Sequence, residues 1–277
     1  MIQTVIFGAG FLGFRLSSAL PDTLISATDI TDQDEVRRLL RMLKPTHVIN
    51  AAGKTGRPNV DWCETHMLET YRANAVGPVL LAEVTSELGI HLTHLGSGCV
   101  FYGTCPRGTG GWREDDYANP SAVYSRSKYS AELVLQTLPG VCIARLRMPV
   151  DDRPHQRNLV TKLASYRKVI DVKNSLTVVE DMIMVLKALM RVRAEGIFHV
   201  VNPGTIRHAR ILELYRRHVD PSHKTTLIPE NELVSRGLAL KARSSVVLEN
   251  TRLQTLAVQM RPVDEAVTEA LKTYGKS

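Results

Sequence analysis

The chain has 277 residues, 44% apolar and 23% charged, with a formal net charge of +7; this is enough for one large domain or a domain with an appended lobe, and no apolar run approaches the ~20 residues of a membrane span. Its four cysteines (Cys63, Cys99, Cys105, Cys142) are scattered, which argues against a disulfide framework and against a metal site. The positive charge suits an anionic partner, and with 5% aromatics and no basic stripe a nucleotide is expected rather than a nucleic acid.

Residues 3–7 form a short apolar run leading into Gly8-Ala9-Gly10-Phe11-Leu12-Gly13, followed by an amphipathic stretch to Leu20. The N-terminus enters this strand without a basic segment and cleavage site, so a cytoplasmic, membrane-free protein is expected. Strand, Gly-x-Gly-x-x-Gly turn and helix together make the dinucleotide fingerprint: the glycines let the backbone approach a pyrophosphate that sits on the helix N-terminus. Gly8, Gly10, Phe11, Leu12 and Gly13 are therefore cofactor-binding candidates. Arg15 is either a partner for a 2′-phosphate or an exposed helix arginine. Asp29 and Ile30 precede a helix over 34–43 and are expected to border the adenine, with an ordinary helix cap as the other reading of Asp29. Residues 45–52 read as a buried strand whose small end, Ala51 and Ala52, leaves room for a cofactor edge.

A helix over 68–88 and a strand over 91–95 follow, with Ser97-Gly98-Cys99-Val100-Phe101 at the carboxyl end of that strand. Tyr124-Ser125-Arg126-Ser127-Lys128 opens a further helix to about Leu138. Residues four apart share a helix face, and an ammonium beside a phenol favours the phenolate, lowering its pKa from about 10. Tyr124 can then give and take a proton near neutral pH. A strand over 141–146 leads into Arg147-Met148-Pro149.

This alternation predicts an α/β fold, a Rossmann-like doubly wound parallel sheet whose ligands bind at the carboxyl ends of the strands. Residues 1–149, with 180–201 returning to them, are expected to form the dinucleotide-binding domain. Residues 150–179 and 202–277 are expected to form a smaller C-terminal substrate-binding lobe, with helices over 206–219 and 264–274; a helix over 180–193 and a strand over 196–201 make up the returning segment. Trp62 and Trp112 read as packing residues, and Cys63, Cys105 and Cys142 as structural.

The blocks Lys44 to Gly53 and Thr55-Gly56-Arg57-Pro58-Asn59-Val60-Asp61-Trp62-Cys63-Glu64, with Arg145 to Pro149, Arg157 to Lys162, Asn174 to Thr177 and Arg243-Ser244-Ser245, resemble the extended short-chain dehydrogenases/reductases that act on nucleotide-linked 4-keto-6-deoxy sugars. Within them the likeness is to the bifunctional 3,5-epimerase/4-reductases that make UDP-rhamnose, relatives of dTDP-4-dehydrorhamnose reductase. The resemblance implies catalytic roles for Ser97 and Tyr124 on the C4 oxygen, for Lys128 on Tyr124 and the nicotinamide ribose, for Cys99 as epimerisation base and for Lys162 as the opposing acid. It implies Met148 and Pro149 beside the cofactor and Arg57, Asn59, Ser97, Asn158 and Arg243 on the nucleotide sugar, with no metal.

NADPH is the implied cofactor, with NADH as the alternative, because the glycine spacing and the short connection from Leu20 to Asp29 depart from the family pattern where the two are told apart. An upstream nucleotide-glucose 4,6-dehydratase and a homodimer are the implied partners. A monofunctional 4-keto-rhamnose reductase and a non-catalytic subunit of the kind that binds methionine adenosyltransferase remain as other readings.

Overall fold

The computed structural model describes residues 2–57, 59–241 and 243–276. In chain order the elements are β1 (Thr4–Phe7), α1 (Phe11–Ala19), β2 (Thr23–Ser26), α2 (Gln33–Leu43), β3 (His47–Asn50), α3 (Trp62–Thr65) and α4 (Met67–Tyr71). A π-helical turn (Arg72–Val76) leads into α5 (Gly77–Glu87), then β4 (His91–Ser97), a 3₁₀ turn (Gly98–Val100), α6 (Val123–Leu135) and β5 (Val141–Leu146). Next come α7 (Leu159–Ser165), β6 (Lys168–Ile170), β7 (Lys173–Asn174), α8 (Val179–Arg191), β8 (Gly196–Val200), β9 (Ile206–Arg207), α9 (His208–His218), β10 (Thr226–Ile228), α10 (Glu232–Ser235), α11 (Thr251–Thr255) and α12 (Val263–Lys272).

Six strands form one sheet in the order β2-β1-β3-β4-β5-β8, and the β1–β2, β1–β3 and β3–β4 pairs are parallel. The expected doubly wound α/β architecture is therefore present. The crossover direction reverses at β1, which stands between β2 and β3, so the crevice for a ligand opens at the carboxyl ends of β1 and β3. Strand β2 has no counterpart in the sequence reading, which took the stretch from Leu20 to Asp29 as a short connection. Four residues at a sheet edge, Thr-Leu-Ile-Ser with only Ser26 buried, carry neither a long apolar run nor a clean alternation.

The chain divides into two compact units, one of Met1–Val100, Ala118–Arg145 and Leu186–Phe198, the other of Phe101–Tyr117, Leu146–Val185 and His199–Ser277. The first has a core of Val5, Phe7, Ile30, Val36, Leu40, Val48, Leu81, Leu92, Leu135 and Ile143 among others. Its inner strands are buried on both faces; β1 and β5 read as near-continuous apolar runs, while β3 and β4 carry buried polar residues. The β3–β4 register places His47 beside His91 at the amino ends and Asn50 beside His94 at the carboxyl ends. The second unit packs α7, α9 and α12 through Leu159, Leu163, Ile211, Leu212, Ala266, Val267 and Leu271.

The helix expected over 68–88 is broken into α4, the π turn and α5. Asn74 in that turn explains the break: its side chain is buried, accepting the Lys54 N–H at 2.7 Å and donating to the Lys54 carbonyl at 2.8 Å and to Ser127 Oγ at 3.0 Å. A π bulge turns one side chain out of the normal helical register, here onto the loop after β3 and onto α6.

Arg145 on β5 and Glu132 on α6 form a bidentate ion pair (2.9 and 2.5 Å) with side chains 2% and 3% exposed. Removing one partner strands the other in the core, so Glu132→Ala is expected to lower stability by about 3–5 kcal/mol in urea denaturation; a loss under about 1 kcal/mol would show the guanidinium to be compensated otherwise. Burial also holds His47, His91 and His208 below the usual histidine range. The unfolded chain takes up protons first, so their contribution is present above about pH 6.5 and lost as pH falls below it. Unfolding free energy measured at about pH 7.5 and 5.5 should drop at the lower value.

Candidate active site

At the end of β1 Gly8 adopts φ +104°, and a Cβ there would collide with the backbone nitrogen of Ala52 after β3. A Cβ on Gly13 would collide with the Gly8 carbonyl, whereas one on Gly10 would meet nothing within 4 Å. Gly8 and Gly13 are thus required by the fold itself: they bring the ends of β1, β3 and α1 together. Gly10 is required by nothing in the protein, and it is the N-cap of α1, whose first turn, beginning Phe11-Leu12, carries no acidic residue. Open space before a helix N-terminus suits an anion through the helix dipole, so the residues present fit a dinucleotide pyrophosphate. Arg15 is half-buried on α1.

One cofactor expectation on the β2 side changes. Ile30 is 4% exposed within the first core, and a Cβ on Gly77 would come 2.7 Å from it, so Ile30 is a packing residue. Asp29 is exposed but does not cap α2; Asp32 does, accepting the Glu35 N–H. Asp29 Oδ1 instead accepts the Thr31 N–H and Oγ1–H, both at 2.9 Å, and these bonds hold its carboxyl below the usual range.

The residues expected to act on the keto group lie on β4, the 3₁₀ turn and α6, all in the first unit. Ser97 ends β4, is 5% exposed, and its Oγ accepts the Cys99 N–H at 3.2 Å. Cys99 follows in the 3₁₀ turn and is partly exposed; Tyr124, in the first turn of α6, is half-buried. Lys128, one turn further, is 6% exposed. Its Nζ lies 3.1 Å from His94 Nε2 and donates to the Leu95 carbonyl at 2.8 Å. Burial lowers Lys128 to about 8, with Glu132 acting in the opposite sense.

The position of α6 rests on residues that the sequence reading passed over. Glu64 of α3 accepts the Val123 N–H at 2.8 Å, satisfying one orphan donor at a helix start that has no side-chain cap of its own. Asn74 reaches Ser127, and His94 reaches Lys128. Glu64 falls inside the distinctive block around Trp62, and a second histidine in a strand that already begins with His91 was the available signal for His94. For Asn74 no sequence signal marks the π turn.

Of the sugar candidates, Arg57 is exposed and Asn59 Oδ1 accepts the Asp61 N–H at 2.8 Å. Pro58 between them lies outside the described residues. Trp62 is a packing residue as expected, stacked on His66 at 3.9 Å with Lys54 over its ring.

In the second unit Met148 has φ +38° and packs against the core, while the Pro149 carbonyl accepts the Leu159 N–H at 3.0 Å. Asn158 is fully buried. Its Oδ1 caps α7 through the Val160 N–H, and its amide donates to the carbonyls of Asp151 and Arg153. With its carboxamide committed to backbone, Asn158 shapes the entry to α7 rather than contacting a ligand. Lys162, on α7, and Arg243 are both half-buried. Trp112 is packed as expected, stacked on Phe101 at 4.6 Å. Among the described residues no group of three His, Cys, Asp or Glu could hold a metal, and no helix is long and apolar enough to cross a membrane.

The family model described as the RmlD substrate binding domain matches residues 5–276. The chain belongs to this family of nucleotide-sugar reductases. It is 36% identical over 245 residues to the bifunctional dTDP-4-dehydrorhamnose 3,5-epimerase/dTDP-4-dehydrorhamnose reductase of Arabidopsis thaliana, covering 86% of this chain and 80% of that protein. It is 36% identical over 233 residues to the trifunctional UDP-glucose 4,6-dehydratase/UDP-4-keto-6-deoxy-D-glucose 3,5-epimerase/UDP-4-keto-L-rhamnose-reductase RHM2 of the same plant; that match takes in 82% of this chain and 35% of the relative, about a third of its length. The crystal structure of the L780 UDP-rhamnose synthase from Acanthamoeba polyphaga mimivirus superposes with a TM-score of 0.90 at 27% identity, covering 98% and 99% of the two chains.

The glycine geometry separates fold from ligand binding. Gly13→Ala should destabilise the protein by about 1–3 kcal/mol through overpacking, and Gly10→Ala should stay within about 1 kcal/mol of the parent, both read by urea denaturation. Equal losses at the two positions would mean that Gly10 also has a packing role.

Proposed function

We propose that this member of the reductase family carries out 3,5-epimerisation and NADPH-dependent 4-reduction of UDP-4-keto-6-deoxy-D-glucose, yielding UDP-L-rhamnose. The observation that carries the reading is the carboxyl end of β4, where Ser97 and a partly exposed Cys99 are joined by the Cys99 N–H to Ser97 Oγ bond. A hydroxyl for a ketone oxygen and a thiol for a neighbouring C–H thus stand on one turn.

The C4 ketone acidifies the protons on C3 and C5. Removing one leaves charge on the C4 oxygen, which hydroxyl donors stabilise as it develops; Ser97 and Tyr124 take that role. The Cys99 thiolate takes the proton on one face, and Lys162 returns one from the other, so that each centre inverts with no net change in composition. For the reduction, NADPH supplies the hydride to C4. Tyr124 gives the C4 oxygen its proton, with Lys128 behind it.

Gly8, Gly10 and Gly13 with the N-terminus of α1 would hold the pyrophosphate, Ala51 and Ala52 the cofactor edge, and Met148 and Pro149 the nicotinamide side. Arg15 is the candidate for the 2′-phosphate and Asp29 for the adenine. Arg243 matches a diphosphate bidentately, and Arg57 and Asn59 would border the sugar. A nucleotide-glucose 4,6-dehydratase would supply the substrate, a step that is fused to this kind of domain in the trifunctional relative.

A second reading is reduction alone. It is favoured by Lys162 belonging to a different unit from Ser97, Tyr124 and Lys128, a set sufficient for reduction without Cys99 or Lys162.

Incubation with UDP-4-keto-6-deoxy-glucose and NADPH in deuterated water decides between the two. Deuterium at C3 and C5 of a rhamnose product supports both activities, and a reduced but unepimerised sugar leaves only the reductase. Cys99→Ala should cut deuterium incorporation by about 100-fold or more while sparing reduction of pre-epimerised substrate, and Tyr124→Phe should cut reduction by a similar factor. If Cys99→Ala left epimerisation intact, Cys99 would not be its base.

A further inference from the structure

The polar chain that ends on Lys128 has a direction. Ala52 contributes a backbone N–H, which can only donate, and it donates to Asn50 Oδ1 at 3.0 Å. That fixes the carboxamide and leaves Asn50 Nδ2, also a donor, 3.1 Å from His94 Nδ1. The ring nitrogen must therefore accept, and a neutral imidazole that accepts at Nδ1 carries its proton on Nε2. Nε2 is the atom 3.1 Å from Lys128 Nζ.

An ammonium has three donors and no acceptor, so an ammonium facing an Nε2–H is a donor against a donor. A neutral amine has a lone pair for that hydrogen and keeps two others, one for the Leu95 carbonyl at 2.8 Å. We propose that His94, locked by Ala52 and Asn50 as its Nε2–H tautomer, is a positioning residue that turns an N–H toward Lys128 and so keeps the lysine poised between ammonium and amine.

The surroundings support this. Burial disfavours charge on both groups: it lowers Lys128 to about 8 and holds His94 well below the usual histidine range, with Lys128 adding to the second effect. Glu132, one turn along α6, favours the ammonium, but its carboxylate is shared with Arg145 of β5. Tyr124 lies one turn back on the same helix, Cys99 follows β4, and Glu64 of α3 is bonded to the Val123 N–H. Glu69 of α4 pairs with Lys54. His94 is a titratable group within hydrogen-bond distance of Nζ. In a site where Lys128 acts behind Tyr124, His94 thereby sets the pH at which that support changes charge.

The test uses the full chain with isotope-labelled histidine nitrogens and long-range proton–nitrogen correlation spectra, His94→Gln identifying the signal. The expected result is a neutral ring with its proton on Nε2 between about pH 6 and 9. In Asn50→Asp the carboxylate accepts from Nδ1–H, so the tautomer should reverse and turn an acceptor toward Lys128. The alkaline limb of the pH profile for keto-sugar reduction should then rise by about one unit or more. In a His94→Gln background the same change should leave that limb in place, which separates the tautomer from the added charge. A wild-type ring protonated on Nδ1, or an imidazolium at neutral pH, overturns the proposal, as does a reversed tautomer with an unmoved limb. The kinetic arm rests on the reductase reading and the spectra do not, so absence of turnover with a keto sugar would sink that reading alone.

Discussion

Lys128 is a buried basic group on the helix that also carries Tyr124, and the first unit is built to meet its hydrogen-bonding demand. A buried amino group needs hydrogen-bond partners whether or not it carries its charge. The partners are a carbonyl and a ring nitrogen from β4, so α6 is fixed in both rotation and height over the sheet. Asn74 adds a tie one residue earlier through Ser127, and Glu64 holds the helix start. These bonds come from three separate stretches of chain and converge on barely two turns of helix.

The same logic explains why polar residues are tolerated in the buried strands β3 and β4. Asn50 and His94 are neighbours in the β3–β4 register, and each finds its partner at the carboxyl edge, where the sheet stops and the glycine turn begins. At the opposite edge His47 and His91 bond to the carbonyls of Met190 and Ala194, closing the amino ends of β3 and β4 against the end of α8. One edge is therefore sealed and the other left polar, the asymmetry expected of a doubly wound sheet whose ligands bind beyond the carboxyl ends.

In the glycine turn two kinds of requirement stand side by side. Gly8 and Gly13 are dictated by backbone contacts within the protein, while Gly10 faces open space, so its lack of a side chain has meaning only for something bound there. A motif that looks uniform in sequence thus splits into structural and ligand-facing positions. Asn158, in the same matching block as Lys162, is consumed by a helix cap and two carbonyls.

The sequence by itself determined the strand–turn–helix at the N-terminus, the strand over 141–146, the helix that opens at Tyr124 and hence the fold class, because spacing along the chain encodes each of these locally. It also placed Ser97, Cys99, Tyr124 and Lys128 at strand or helix ends. It did not contain β2, too short and too exposed to show a period, nor the π turn, which exists because Asn74 finds the Lys54 backbone. Only the tertiary structure decided that Ile30 is core, that Asn158 is a cap, and that His94 and Asn50 stand behind Lys128. Each of those depends on a partner brought close by strand register or helix packing, and a partner tens of residues away leaves no period in the sequence.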